Sequence, residues 1–354
     1  MTTTINVLSG FGSKAAAAIS IKTQLENGQL VHLLLDAGGS LEGLSDKGWQ
    51  LPEDVDAIVI SHDHPDHIGG LVDVPTSLPV YATEQVIPYL PKHLNIQRLP
   101  NRGTIDINGI RIRTGCAGHS FGGVWLYLDI AGGIFYSGDF CLESELFPFD
   151  RPPKAATALL DASYGLYDRT QDQAKQDILS VLSTEKPNLM PVPQSGRALE
   201  MACWFEQQGM KDWVLGNDCL QPHNITQVSD ELVCPELKKL ASNIAHRKFD
   251  DHAPIILCGD PEGFSGDAGR LLKHADQYNV IYTGHLPAHA RQAVSEGKAH
   301  FVRWNVHPTS QDIARVMDQL QCQRCVPLFS PIEDIDAWRY RLGEHLLATS
   351  IIEL

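Results

Sequence analysis

Ten consecutive residues constrain this chain more than any others: Ser61-His62-Asp63-His64-Pro65-Asp66-His67-Ile68-Gly69-Gly70, directly after the apolar run AIVI. Three histidines and a carboxylate fall within six positions at a strand-to-loop junction, where side chains are free to converge instead of alternating across a sheet. His62 and His64, two apart on extended backbone, point to one side. Asp66 and His67 follow the bend and are placed to serve a second ion. Divalent zinc suits imidazole plus carboxylate, and ligand type alone leaves manganese or iron open.

The rest of the composition bounds what such a site can sit in. At 354 residues the chain has room for roughly two domains, or one large domain with an insertion. Its 43% hydrophobic and 20% charged residues are those of a globular protein, and 29 Gly with 21 Pro are too few for a low-complexity chain. A net charge of -15 argues against a protein that coats nucleic acid through an overall positive field, while leaving room for a local basic cleft. There is no apolar run of about 18 residues and no basic-then-apolar leader at the start, so a cytoplasmic protein without a membrane span is expected. The eight cysteines are scattered and are expected to be reduced and buried. Cys322 and Cys325 form a single C-x-x-C without a second pair, and no role is assigned to it.

Along the first third, short β-rich runs end in Gly, Asp or Ser: TINVLSG, AAISIKTQ, LVHLLLDAGG and AIVISHDH. Further strands are predicted at VYAT, IRIRTG, VWLYLDI, GIFYSGDF and ALLDASYG. From Thr170 the texture changes, with apolar residues at 174, 178, 179 and 182 in helical spacing. Helix (LEMACWFEQQG) and strand (APIILCGD, VIYTGHL) then alternate to about residue 295, and HFVRWNVHPTSQDIARVMDQL with CVPLFS supplies strand, helix and strand. This pattern reads as an α/β unit inserted into a β-rich host, with a cleft between them as the natural site.

The H-x-H-x-D-H run resembles that of the metallo-β-lactamase superfamily. The resemblance implies that Asp36, in LLLDAGG, braces the histidine loop without binding metal. It further implies that His119, in AGHS, joins the first site, and that Asp139, in YSGDF, bridges two ions. The metal ligands on this reading are His62, His64, Asp66, His67, His119 and Asp139, around one or two Zn2+ ions, with Mn2+ or Fe as alternatives. More of the chain is similar to the β-CASP nuclease branch, in which a cap is inserted late in the lactamase fold. Asp161-Ala-Ser-Tyr-Gly165, Gly196-Arg197-Ala-Leu-Glu200, the stretch from Gly284 to Arg291, and His307 in WNVHP carry that similarity. The implied fold is α/β: a metallo-β-lactamase αββα sandwich over 1–175 and 296–354, with a β-CASP-like α/β cap over 176–295. The Gly259–Gly269 segment lacks a nucleotide-loop pattern and is expected to be a turn. The RNA-processing members carry a final histidine in the second metal site. Here Val326-Pro-Leu-Phe-Ser330 has none.

The resemblance implies a nuclease that cleaves phosphodiester bonds of DNA or RNA with a metal-activated water. Catalytic roles fall to Asp66, Asp161 and His307, the last as general acid oriented by Asp161. Arg197 and Arg291 have two readings, surface charges or contacts to substrate phosphates. His307, beside Pro308, is otherwise only a cap before a helix. A nucleic acid is the implied partner, with a protein partner in a processing or defence complex as a further possibility. The alternatives are a thioester or lactone hydrolase of the same superfamily, or a non-catalytic subunit.

Overall fold

The computed structural model describes residues 2–40, 47–217, 219, 231–235, 238, 240 and 248–354. The chain divides into two compact units, one made of 1–142, 149–168 and 307–354, the other of 143–148 and 169–306.

The first unit is built on two sheets. One has seven strands in the spatial order Ile351–Glu353, Thr3–Ser9, Ala18–Gln24, Leu30–Leu35, Ala57–Val59, Pro79–Ala82 and Asn95–Arg98. The other has six, ordered Arg324–Leu328, Thr157–Asp161, Ile134–Tyr136, Val124–Leu128, Ile110–Cys116 and Gly103–Ile107. Period-two alternation splits each apolar run between two cores. Ile19, Leu33, Leu35, Leu126, Tyr136, Leu159 and Val326 fill the space between the sheets. Leu34, Ile58 and Ile60 face outward to pack with Trp49, Ile68 and Leu71. On the second sheet, Ala158 and Leu160 face outward against Ile313, Val316, Met317 and Leu320, one stripe of the helix Ser310–Leu320. That helix starts at a capping box, Thr309 with Asp312, and stops at Gln321 in the left-handed region. Elements outside two facing sheets give the αββα layering.

The strands Asn95–Arg98, Gly103–Ile107 and Ile351–Glu353 carry no expectation from sequence, and all three lie at sheet edges. Edge strands bury one row of side chains at most, so Asn95–Arg98 keeps polar residues that mask the alternation.

The second unit holds a five-stranded, all-parallel sheet in the order Trp213–Leu215, Ile255–Cys258, Asn188–Pro191, Asn279–Tyr282 and Ala299–Phe301. The runs in APIILCGD and VIYTGHL form strands of this sheet, and LEMACWFEQQG lies in the helix Arg197–Gln207. In the Gly-rich segment the Asp260 carboxylate accepts backbone N–H groups from Glu262, Gly263, Phe264 and Ser265, the hydrogen bonding of a turn. None of the eight cysteines is in a disulfide, and Cys322 and Cys325 are buried. No described helix is long and apolar enough to cross a membrane.

Candidate metal centre

The bend that splits the histidine motif follows from its proline. Pro65 keeps His64 extended, at φ -71 and ψ 146, and itself begins the one-turn helix Pro65–Ile68. His62 and His64 therefore lie on strand-like backbone, whereas Asp66 and His67 ride the turn, which is closed by His67 N–H donating to the His64 carbonyl at 2.9 Å. Two glycine pairs lock this turn onto the Asp36 loop. Gly39 N–H donates to the Pro65 carbonyl and Gly70 N–H to the Ala37 carbonyl. A Cβ at Gly38 would lie 1.9 Å from the Asp66 carbonyl oxygen, and one at Gly70 would lie 2.7 Å from that of Gly38. Only glycine permits the approach.

Asp36, with φ 57, turns its carboxylate beneath the histidines. Its Oδ1 accepts from Ser61 N–H at 2.7 Å, and its Oδ2 gathers Ser61 Oγ at 2.7 Å, Tyr136 hydroxyl at 2.6 Å and His67 Nδ1 at 2.7 Å. The tautomer of His62 follows. Ser61 spends its one hydrogen on Asp36, so the 3.0 Å contact to His62 Nδ1 has the imidazole N–H donating to Ser61 Oγ. The lone pair is left on His62 Nε2, a buried atom with no hydrogen-bond partner. Burial, then the neighbouring His67 and His64, holds His62 well below the ordinary imidazole range, which keeps that lone pair available to a cation.

His119 and Asp139 arrive from separate loops, after strands Ile110–Cys116 and Ile134–Tyr136. Donor atoms of His62, His64, His119 and Asp139 all lie within 4.8 Å of one another. His64 Nδ1 is 3.0 Å from His119 Nε2, and Asp139 Oδ2 is 3.6 Å from His119 Nε2 and 3.8 Å from His62 Nε2. The other oxygen, Asp139 Oδ1, lies 3.2 Å from His67 Nε2 in a second group formed by Asp66, His67 and Asp139. One carboxylate thus divides its oxygens between two sets of donors. Burial opposes ionisation of Asp139, yet His67 and then His307 hold its carboxyl well below the usual range. For His67, burial also opposes the charged form, but Asp139 and Asp36 raise it well above the ordinary value. This set of imidazoles and carboxylates, with a buried unpartnered Nε2, fits a divalent cation.

A third group adjoins the first. His307 Nδ1 lies 2.7 Å from Asp161 Oδ2 and 3.6 Å from Asp139 Oδ2, and its ring centroid is 5.0 Å from those of both His119 and Tyr164. Asp161, at the end of Thr157–Asp161, is held by the Ser163 N–H at 2.8 Å on its Oδ1. Arg197 and Arg291 belong to the second unit. Arg197 is 6% exposed and lies against Gly284, where a Cβ would meet its guanidinium at 2.0 Å. Arg291, exposed on the helix Ala288–Ser295, donates to the Leu286 carbonyl at 2.5 Å.

Four residues at the centre receive no role in the sequence reading: Ser61 and Tyr136, which share Asp36, and Lys14 and Phe329. Lys14 Nζ lies 3.6 Å from Asp66 Oδ2, and the Phe329 ring stands T-shaped to His67 at 5.5 Å. Burial opposes ionisation of Asp66, and Lys14, ahead of His67, brings its carboxyl below the usual range.

Residues 32–148 match the model of the beta-lactamase superfamily domain. The chain is similar to transcription termination factor FttA of Methanocaldococcus jannaschii, 28% identical over 201 residues that cover 44% of this chain and 31% of that protein. It is similar to the factor of the same name from Methanothermobacter thermautotrophicus, at 26% identity over 49% of this chain and 36% of that protein. Endoribonuclease YSH1 of Gibberella zeae is 30% identical over 144 residues, covering 38% of this chain and 17% of that protein. The chain thus spans between 17% and 36% of the length of these curated relatives. A protein of unknown function from Enterococcus faecalis V583 shares the fold along the full length of both chains, with a TM-score of 0.61 and 15% identity.

Proposed function

We propose that the protein, whose residues 32–148 match the beta-lactamase superfamily domain, is a metal-dependent nuclease of β-CASP type that hydrolyses phosphodiester bonds of DNA or RNA. The observation that carries this reading is the convergence of His62, His64, His119 and Asp139, from three loops, within 4.8 Å, beside an Asp161–His307 pair. These donors would hold the cation, and Asp66 and His67 with the shared Asp139 are the candidate donors for a second. Three imidazoles with a carboxylate favour zinc. Nucleic acid as substrate is supported by the relatives, one an endoribonuclease and two transcription termination factors by name.

A divalent cation held by His62, His64, His119 and Asp139 would supply Lewis acidity for activating water and offsetting charge on phosphoryl oxygens. The chain's own residues do the rest. Asp36 fixes the His67 ring directly and the His62 ring through Ser61. Asp161 accepts from His307 Nδ1, which orients the ring and leaves Nε2 to give a proton to the departing sugar oxygen. Arg197 and Arg291, both in the second unit, are assigned to substrate phosphates. Eight cysteines without a disulfide suit a reducing, cytoplasmic setting.

The net charge of -15 favours one competing reading, a thioester or lactone hydrolase on the same metal chemistry. End-labelled single-stranded RNA and DNA, incubated with protein loaded with zinc or manganese, separate the two. Cleavage abolished by a chelator and restored by metal supports the nuclease. Intact polymers with every metal, alongside turnover of a thioester or lactone panel, overturn it.

A further inference from the structure

We infer that Lys14 takes the place of a second metal ion, its ammonium compensating Asp66 so that the centre holds a single divalent cation at His62, His64, His119 and Asp139. The inference rests on the metal-hydrolase reading above and fixes its stoichiometry.

Lys14 is held at that position by three contacts of different kinds. Its Nζ lies 3.6 Å from Asp66 Oδ2, donates to Ser163 Oγ at 3.2 Å, and stands 5.6 Å from the centroid of the Phe329 ring. An anion, a hydroxyl and an aromatic face together make a cation site, and the side chain keeps only 27% of its surface exposed. The site is already filled by the chain itself.

The group of Asp66, His67 and Asp139 brings together three donor residues against four in the first. On the side where Lys14 enters stand its ammonium, which repels a divalent ion, the Phe329 ring, which offers no lone pair, and the Ser163 hydroxyl, which already accepts from Lys14. Phe329 is anchored there. It has a left-handed φ of 64, its N–H donates to the Gly10 carbonyl at 2.6 Å, and a Cβ at Gly10 would lie 2.6 Å from its ring. Gly10 and Lys14 belong to one loop after the strand Thr3–Ser9. The same loop therefore seats the apolar wall and delivers the cation.

The first group is different in kind. His62, His64, His119 and Asp139 bring four donors together with no ammonium among them. Lys14 is thus a positioning and charge-compensating residue whose ion pair is with Asp66 of the second group.

The test is metal stoichiometry. Apoprotein of the wild type, Lys14→Arg and Lys14→Met is incubated with excess Zn2+ or Mn2+, desalted, and measured by elemental analysis, with electron paramagnetic resonance of the Mn2+ forms to detect a coupled pair. The expected result is one ion per chain in the wild type and in Lys14→Arg, and a second ion, with a coupled manganese spectrum, in Lys14→Met. Asp66→Asn in the wild-type background should leave the single ion in place. Two ions in the wild type overturn the inference while leaving the hydrolase reading intact, as does a Lys14→Met protein that still takes one. Absence of metal from every form sinks both.

Discussion

One oxygen of Asp36 serves His67 Nδ1 at 2.7 Å while also accepting the hydroxyls of Ser61 and Tyr136 at 2.7 and 2.6 Å. Through Ser61 this oxygen also sets which nitrogen of His62 carries the lone pair. Asp36→Asn places an amide against three donors and breaks that relay. Metal affinity should fall about 10- to 100-fold, the usual cost of losing a residue that orients a ligand. Competition with a chromogenic chelator measures it, and an unchanged affinity would detach Asp36 from the metal centre.

The 2.7 Å pairing of His307 with Asp161 gives a different signature. His307→Ala should lower kcat on unactivated phosphodiesters by about 10²- to 10⁴-fold, the range for a lost general acid. Metal content should not change. On a p-nitrophenyl diester, whose leaving group needs no proton, most of the rate should return. A loss of equal size on both substrates would remove the proton-transfer role.

Gly38 tests the clamp under the histidine turn. Alanine there puts a methyl group 1.9 Å from the Asp66 carbonyl oxygen, with backbone on both sides. Overpacking against backbone costs about 3 kcal/mol, visible as a lower midpoint in urea denaturation of both apoprotein and metal-loaded protein. A midpoint within error of wild type would mean that the two loops are not interlocked.

Glu200 links the second unit to pH. Its carboxylate accepts from Ser144 Oγ at 2.6 Å and from Trp304 Nε1 at 3.0 Å, but burial outweighs these bonds and raises it above the usual 4.5. A carboxyl raised on folding contributes stability that is fully present below 4.5 and is lost as pH rises through the folded value. Wild-type stability measured relative to Glu200→Gln should therefore decline as pH increases from 4.5. A flat difference would show that Glu200 does not titrate in this way.

What could be read in advance was whatever depends on neighbours in sequence. The bend at Pro65, the strands ending in Asp36 and Asp161, and the capped helix after His307 all announce themselves by spacing or by turn chemistry. Asp36, His119 and Asp139 needed the family resemblance, because each is an ordinary residue in a Gly-rich loop until the fold brings it to the others. Tyr136 was hidden for another reason: it alternates as a core residue and its hydroxyl only matters once Asp36 is beneath it. Lys14 was invisible on both counts. It sits in FGSKAAAA, a stretch without period or motif, and its partners Asp66, Ser163 and Phe329 are remote along the chain.

The unit that holds every candidate metal donor leaves its own path twice, for 143–148 and for 169–306, and resumes it the second time at His307. The residue assigned to donate the proton is therefore the first one after the splice. The two excursions are bonded to each other, Ser144 Oγ donating to Glu200 and Lys175 Nζ to Glu145, so a replacement for 169–306 has to keep partners for 143–148 as well as re-enter with an imidazole facing Asp161.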